Sequence, residues 1–311
     1  MKVISAVGPN DKHRFKNAVV AIGVFDGVHR GHQKLITQAI RRAKSVKGQT
    51  VIMTFWPHPV HVLHPEVKLP LLVSLDYRLK LFTNFGVDVC VVVTFTKSFS
   101  RLSPNQFIER YLVSSLKPKE IFVGDDFRFG QNRSGTIDYF KAAGKQYGFK
   151  VHNVHPLKGG QEKISSTDIR DLIAQGQLDQ AKKLLGRPVS IMGTVVKGDS
   201  RGKTLGFPTA NLCPQDIVIP PLGVYAVRVL IDDQVYYGAA NIGRRPSFKR
   251  KNQPINFEVH IFNFKANLYG RKIIVEFFKK IRDEKTFNSK EKLIQQIKID
   301  AGVAKAIFSS I

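Results

Sequence analysis

The stretch Gly23-Val-Phe-Asp-Gly-Val-His-Arg-Gly-His32 lies between two segments of different periodicity. The segment that leads into it, Asn17–Phe25, is rich in Val and Ile and is typical of a strand, whereas apolar residues recur at helical spacing after it. These helical positions are Leu35, Ile36, Ala39, Ile40 and Ala43. A glycine-rich turn between a strand and a helix is where a parallel sheet binds a nucleotide phosphate, facing the amide groups of the helix N-terminus. We therefore predict a phosphate-binding turn here.

Strand-like and helical segments continue to alternate as far as Leu185. Further strands are predicted at Thr50–Trp56, Val87–Phe95, Glu120–Val123 and Lys150–Val154. Helices are predicted at Ser74–Phe85, after the capping box of Ser103 and Gln106, at Thr136–Tyr147 and at Leu178–Leu185. The alternation predicts a Rossmann-like α/β domain whose parallel sheet is covered on both faces.

The second half of the chain has a different pattern, and Gly186-Arg-Pro188 marks the change. Strands separated by turn residues are predicted at Ser190–Val196, Gly223–Ile231, Gln234–Ile242, Asn256–Phe262 and Lys272–Ile281. Asp232-Asp233 fits a tight hairpin, and a helix from about Ser289 to Phe308 closes the chain, with Asn288 and Glu291 spaced as a capping pair. We predict domains at 1–186 and 187–311, the second an antiparallel β-barrel with a terminal helix.

Composition limits the class of protein. The 311 residues contain no apolar run near the roughly 18 that a membrane helix needs, and the start of the chain does not look like a secretory leader. Two cysteines cannot form a disulfide framework, and Cys90 is expected to pack in the core, so we expect a cytoplasmic protein. The formal charge of +25 favours anionic partners, but the basic residues are spread along the chain. We therefore expect small-molecule partners, no nucleic acid and no membrane. A monomer is favoured, although the sequence does not determine the oligomeric state.

His29 and His32 are three residues apart and could direct two imidazoles towards one phosphate. Two alternatives are ordinary polar loop residues and a metal pair. A metal pair is disfavoured because no cysteine or third histidine lies nearby in the sequence. The glycine framing and the position after the first strand favour a phosphate site that includes Gly23, Phe25, Asp26 and Gly31.

His29-Arg-Gly-His32 and Ile164-Ser-Ser-Thr-Asp-Ile-Arg170 together resemble the nucleotidyltransferase superfamily, which transfers AMP or CMP to a phosphate or related acceptor. The resemblance implies that Ser165, Ser166, Thr167 and Arg170 hold the triphosphate. It also implies that His29, His32 and Arg170 stabilise charge on the transferred group.

Two further segments, Thr54-Phe-Trp-Pro-His-Pro59 and Val123-Gly-Asp-Asp-Phe-Arg-Phe-Gly130, resemble the FAD-synthetase branch of that superfamily. By its place in the second motif, Asp126 is expected to contact the nucleotide. Phe55 and Trp56 are as readily interpreted as core residues.

Lys197-Gly-Asp-Ser-Arg-Gly-Lys-Thr204 is not a P-loop, because three residues separate its glycines where a P-loop has four. We interpret it as a basic flap over phosphates, formed by Gly198, Arg201, Gly202, Lys203 and Thr204. The flap leads into Gly206-Phe-Pro-Thr-Ala-Asn211, which resembles the signature of riboflavin kinases. The resemblance implies that Thr209 and Asn211 hold Mg²⁺ and the ATP phosphates, and hard oxygen ligands suit that ion.

Phe257-Glu-Val-His260 resembles the same kinases, and its glutamate, Glu258, is then the catalytic base. An exposed strand glutamate is the plain alternative, and His260 is expected to be structural. The segment Val275–Phe287 resembles the flavin-side segment of the family, with Arg282 and Glu284 as the expected contacts.

The resemblance runs from about Asn17 to the last helix. The motifs follow one another in the same order as in the bacterial bifunctional riboflavin kinase/FMN adenylyltransferases. It implies an enzyme that phosphorylates riboflavin to FMN in its C-terminal domain and adenylylates FMN to FAD in its N-terminal domain, using ATP and Mg²⁺ and releasing pyrophosphate. One rival is a nucleotidyltransferase for another phosphorylated acceptor with a non-catalytic barrel. The other is a basic nucleic-acid-binding protein, for which no binding module is evident.

Overall fold

The computed structural model describes residues 1–5, 15–159, 162–198, 202, 205–214, 216–244 and 255–309. The chain forms two compact units. The first comprises Met1–Leu69 and Leu75–Ser166, and the second comprises Pro70–Ser74 and Thr167–Ile311. The second unit thus differs from the predicted domain 187–311 by including a short segment and two helices that precede it, and the boundary at 186 stays a prediction.

In the first unit, the described residues form a parallel sheet of six strands in the order β1-β4-β3-β2-β5-β6. The strands are β1 (Lys2–Ser5), β2 (Val19–Ile22), β3 (Thr50–Trp56), β4 (Val89–Thr94), β5 (Glu120–Gly124) and β6 (Lys150–Val154). The two-stranded hairpin of β7 (Lys158–Gly159) and β8 (Glu162–Lys163) follows. The predicted parallel α/β sheet is confirmed, with one strand more than the sequence patterns showed, because β1 is short and buries only Ile4.

The helices of the first unit connect these strands. They are α1 (Arg30–Ser45), α2 (Pro59–Leu63), α3 (Leu75–Asn84), α4 (Lys97–Ser100), α5 (Pro104–Phe107) and α6 (Ile137–Tyr147). The capping box of Ser103 and Gln106 opens α5 as predicted, and the chain continues there as a π-helix, Ile108–Val113. In α1, the predicted apolar face is buried at Leu35, Ile36, Ala39 and Ala43.

The core of the first unit lies around strands that are apolar on both faces, as a parallel sheet covered by helices requires. All four residues of β2 are buried. Cys90 of β4 is fully buried, which confirms its packing role, and burial raises the pKa of its thiol to about 12. Phe55 is buried against Phe95 and Phe99 and is therefore a core residue.

In the second unit, the described residues form a closed antiparallel barrel in the order β10-β13-β12-β11-β14-β9. The strands are β9 (Ser190–Val196), β10 (Ala210–Cys213), β11 (Gly223–Ile231), β12 (Gln234–Arg244), β13 (Ile255–Ile261) and β14 (Lys272–Arg282). Asp232 and Asp233, with φ of 47° and 66°, form the tight hairpin between β11 and β12. The predicted barrel is confirmed, and β10 completes it with part of the Gly206–Asn211 motif.

The second unit also contains the helices α7 (Ser166–Ala174, from Thr167 onward), α8 (Leu178–Leu185) and α9 (Lys290–Ser309). Gly186, with φ of 72°, ends α8 at the predicted stop. The hydroxyl of Ser289 accepts a hydrogen bond from the backbone N–H of Lys292, so this serine caps α9 where Asn288 was expected. Pro70–Ser74 joins this unit because Leu71 donates its N–H to the carbonyl of Asp216 at 2.7 Å.

Candidate active sites

The first candidate site is the loop between β2 and α1, at the carboxyl end of the sheet. Strand β2 pairs with β3 on one side and β5 on the other, so the strand order reverses beside it. Open α/β sheets bind their ligands in the crevice at such a switch point. The loop from Gly23 to His29 therefore lies where the sequence placed the phosphate site.

The backbone of this loop is unusual, because Phe25, Gly27 and Val28 have φ of 54°, 82° and 42°. Phe25 is buried beneath Gly23, where a Cβ would lie 3.1 Å from the Phe25 ring. A Cβ on Gly31 would lie equally close to the His29 ring. These two glycines therefore let the loop fold closely around its aromatic side chains.

The His29 and His32 rings are stacked, with centroids 3.6 Å apart. The backbone N–H of His32 donates to Nδ1 of His29 at 3.4 Å, which leaves the proton of neutral His29 on Nε2. Burial lowers the pKa of His32 well below its usual 6.5, and electrostatic interactions with His29, Arg78 and Lys163 lower it further. Nδ1 of His32 is buried and has no hydrogen-bond partner among the described residues. His32 therefore offers a neutral imidazole to a ligand.

The segment that contains the serines reaches this loop, since the hydroxyl of Ser166 donates to the Asp26 carbonyl at 3.0 Å. Asp26 is buried, and Ser165 is half-buried. Asp126 is exposed just after β5 and forms an ion pair with Lys163 at 2.8 Å.

The remaining two residues of this predicted set lie further along α7. Thr167 is exposed, whereas Arg170 is buried and donates from Nε to the carbonyl of Pro70 at 2.8 Å. Both belong to the second compact unit. Their predicted roles at the triphosphate stay predictions.

The second candidate site spans three neighbouring barrel strands. Glu258 of β13 pairs directly with Asn211 of β10 on one side and with Asn241 of β12 on the other. Directly opposite residues of antiparallel strands share one face of a sheet. Phe257 and Val259 are buried in the barrel, so Glu258 lies on its outer face. Asn241 was not singled out from the sequence.

Only some of the polar atoms at this site have hydrogen-bond partners among the described residues. Nδ2 of Asn256 donates to Glu258 at 2.8 Å. Asn211 is 7% exposed, and its buried Oδ1 has no hydrogen-bond partner among the described residues. Ring Nδ1 of His260 lies 2.9 Å from the Pro208 carbonyl, so His260 supports the Gly206–Asn211 motif rather than the reacting groups.

Two glycines of the predicted flap lie close to these residues. A Cβ on Gly198 would collide with the Asn211 amide, and one on Gly202 would lie 3.1 Å from the Thr209 hydroxyl. The other flap residues, Arg201, Lys203 and Thr204, lie outside the described residues.

The donor set at this site fits Mg²⁺ bound largely through a nucleotide. Asn211 supplies an unpartnered buried oxygen and Thr209 a hydroxyl. Among the described residues, no group of three His, Cys, Asp or Glu could hold a metal ion unaided. Such a sparse set of oxygen ligands is typical of Mg²⁺, which retains waters and binds substrate phosphates.

The predicted flavin-side residues are anchored by other parts of the barrel. Arg282 binds both carboxylate oxygens of Asp300 in α9 at 2.8–3.0 Å, and these side chains are 15% and 6% exposed. Glu284 accepts a hydrogen bond from the N–H of Arg244 at 3.1 Å. Residues 245–254, which follow Arg244, lie outside the described residues. Contacts of Arg282 and Glu284 with a flavin stay predictions.

Comparison with known proteins gives two adjoining family matches. The family model described as FAD synthetase matches residues 11–168, and the riboflavin kinase model matches residues 185–308. These ranges contain the first and the second candidate site, respectively.

Similar curated proteins cover the whole chain. A bifunctional riboflavin kinase/FMN adenylyltransferase of Buchnera aphidicola is 40% identical over 100% of both chains. One from Bacillus subtilis is 39% identical over 100% of this chain and 99% of the relative.

A solved structure titled as a macrolide-efflux protein of Streptococcus pneumoniae shares the fold. It is 32% identical with a TM-score of 0.84, over 98% of this chain and 99% of that one. Among the described residues of this chain, no helix is both long and apolar enough to cross a membrane. The two family matches and the full-length relatives confirm the family expected from the motifs: the chain belongs to the bifunctional riboflavin kinase/FMN adenylyltransferases.

Proposed function

We propose that the two candidate sites catalyse consecutive reactions on a flavin. The barrel site transfers the γ-phosphoryl group of ATP to the ribityl hydroxyl of riboflavin, giving FMN and ADP. The loop between β2 and α1 then transfers AMP from a second ATP to FMN, giving FAD and pyrophosphate. The observation that carries this proposal is that each unit presents its own set of polar side chains, a stacked histidine pair in one and the Asn211–Glu258 pair in the other.

At the barrel site, Glu258 accepts the proton of the attacking hydroxyl while the new O–P bond forms and the bond to ADP breaks. The Asn256 amide orients this carboxylate. Asn211 and Thr209 are suited to hold Mg²⁺ with the ATP phosphates, and the ion would neutralise charge on them. The cross-strand pairing keeps Asn211 and Glu258 in fixed register, and positioning of this kind supplies much of the catalysis in phosphoryl transfer.

At the loop site, the FMN phosphate attacks the α-phosphorus of ATP and pyrophosphate leaves. The attacking group is already an anion, so no strong base is needed. His29 and His32 donate hydrogen bonds to the oxygens where charge develops, and the lowered pKa of His32 keeps it uncharged. Ser165, Ser166, Thr167, Asp126 and Arg170 are proposed to hold the nucleotide.

Separate assays of the half-reactions test this function. With riboflavin, ATP and Mg²⁺, chromatography should show FMN and then FAD, with ADP and pyrophosphate formed. With FMN supplied instead, FAD and pyrophosphate should form without ADP. Formation of pyrophosphate only with a different phosphorylated acceptor would contradict the flavin assignment, and removal of Mg²⁺ by a chelator should stop both reactions.

A further inference from the structure

Arg78 of α3 lies fully buried beside the histidine loop, with 0% of its surface exposed. Its Nη1 donates to the Val24 carbonyl at 2.8 Å and to the Thr54 hydroxyl at 3.4 Å. Its Nε and Nη2 are buried and have no hydrogen-bond partner among the described residues. Burial of a guanidinium with unused donors costs free energy, so a favourable interaction or a functional role has to offset this cost.

The carbonyl that Arg78 binds is where the unusual loop begins. The Val24 carbonyl also accepts a hydrogen bond from the Thr54 hydroxyl at 2.9 Å, so two donors fix one backbone oxygen. Immediately after it come the positive φ values of Phe25, Gly27 and Val28. Backbone in these sparsely populated conformations persists where the surroundings over-determine it.

The same guanidinium acts on charged groups of the site. Burial lowers the pKa of Arg78, and the charge of buried Asp26 in the loop opposes this effect. The groups that face His32 are Phe25 and His29 from the loop, Arg78 from α3 and Lys163 from β8. Lys163 is already paired with Asp126 at 2.8 Å, whereas Arg78 brings an inward-facing cation with unused donors.

We propose that Arg78 is a positioning residue for adenylyl transfer, which acts through the Val24 carbonyl to hold the His29–His32 pair in place. This inference rests on the proposed function of the loop site. Arg78 does not itself react with substrate; it fixes the start of the loop that carries the reacting imidazoles. Its positive charge also favours neutral His32, the form that donates a hydrogen bond without repelling the cations around it.

Three variants test the proposal: Arg78→Met, Arg78→Lys and, as a control, Arg41→Met at an exposed arginine of α1. Misplacement of reacting groups by about 1 Å can cost roughly 100-fold in rate, so Arg78→Met should lower kcat for FMN adenylylation by about that factor. The kcat of Arg78→Lys should lie between those of the wild type and Arg78→Met, because lysine keeps the charge and loses the planar donor geometry. Arg41→Met should leave adenylylation unchanged, and riboflavin phosphorylation should be unchanged in all three.

The pH profile separates positioning from a purely structural role. Removing a cation beside a histidine raises the pKa of that histidine, so His32 becomes protonated at higher pH. The acidic limb of the pH profile of kcat for adenylylation should therefore move to higher pH in Arg78→Met. It should stay at the wild-type pH in Arg78→Lys. Wild-type turnover in folded Arg78→Met, or a lower turnover with an unmoved limb, would overturn the proposal.

A direct NMR titration of His32 tests the proposal without an activity measurement. The ring Cε1–H resonance of His32, assigned with His32→Gln, should titrate at higher pH in Arg78→Met than in the wild type. If the wild type forms no FAD, the proposed function fails, yet this titration still reports the coupling of Arg78 to His32. If Arg78→Met does not fold, Arg78→Lys is used to test the proposal. Reduced adenylylation together with a near-wild-type pKa of His32 would support the proposal. Wild-type turnover of Arg78→Lys would overturn it.

Discussion

Asn211 and Glu258 are direct cross-strand neighbours in the barrel, one in β10 and the other in β13. The proposed Mg²⁺ and phosphate ligand therefore lies beside the proposed base on the same face of the sheet. The two residues are far apart in the sequence, and β-sheet register alone brings them together. A change that moves one side chain without unfolding the barrel should therefore affect the kinase reaction alone.

Gly198→Ala is such a change. The added methyl group would occupy the position of the Asn211 amide, so that amide has to rotate away. We expect riboflavin kinase turnover to fall by about 100-fold, the order of loss for a misplaced reacting group, while FMN adenylylation is unaffected. Gly302→Ala in α9 is the matched control, because a Cβ there meets no atom within 4 Å. It should keep full kinase activity and gain roughly 0.5–1 kcal/mol in the free energy of unfolding. Equal activities in the two variants would contradict the placement of Asn211 at the phosphates.

Glu258→Gln tests the base directly. Glutamine keeps the shape of the side chain and can still bond to Asn256, but it cannot take up the proton of the hydroxyl. General-base catalysis contributes about 100- to 10,000-fold, so kinase turnover should fall within that range. Steady-state assays of both half-reactions on one preparation provide the control. A loss below about threefold would exclude Glu258 as the base.

Periodicity was sufficient to predict the parallel sheet, the barrel and the buried face of α1, because these depend on local patterns of apolar residues. It could not show that Pro70–Ser74 belongs to the second unit, since the partner of Leu71 is Ile217 in a distant part of the chain. The His29–His32 motif could be found because its residues are adjacent in sequence. Arg78 could not, since an arginine in an amphipathic helix is usually solvated, and only the fold shows that this one is buried.

His29→Ala combined with His32→Ala should abolish FMN adenylylation and spare riboflavin phosphorylation. The variant loses the proposed imidazole donors at the loop, whereas the barrel keeps its own residues. Chromatography after incubation with riboflavin and ATP should show FMN accumulating without FAD. Normal FAD synthesis by the folded double variant would show that the two histidines do not take part in adenylylation.

Glu120 gives a prediction for stability against pH. This buried glutamate at the start of β5 accepts hydrogen bonds from Arg42 at 2.6 and 2.7 Å and lies 2.7 Å from Nε2 of His152. The hydrogen bonds from Arg42 lower the pKa of Glu120 below its ordinary 4.5; burial opposes this, and His152 adds to it. A lowered folded-state pKa means that ionised Glu120 stabilises the fold fully above pH 4.5, and that this contribution is lost as the pH falls through the folded-state value.

Chemical unfolding between pH 7 and pH 3 should therefore show Glu120→Gln less stable than the wild type near neutrality, with the difference shrinking in acid. Exposed Glu66 provides the control, and Glu66→Gln should follow the wild type throughout. A difference for Glu120→Gln that grows in acid would contradict this account.

The central claim is that one chain carries two independent catalytic centres that act in sequence, and a mixing experiment tests it most directly. Glu258→Gln and the His29→Ala, His32→Ala double variant are each given riboflavin, ATP and Mg²⁺, separately and together. Alone, the first should form little FMN, and the second should form FMN but no FAD. Mixed, they should form FAD, because FMN released by the barrel of one variant is adenylylated at the loop of the other. Folded variants that form no FAD when mixed, while the first still converts supplied FMN to FAD, would contradict two independently acting centres.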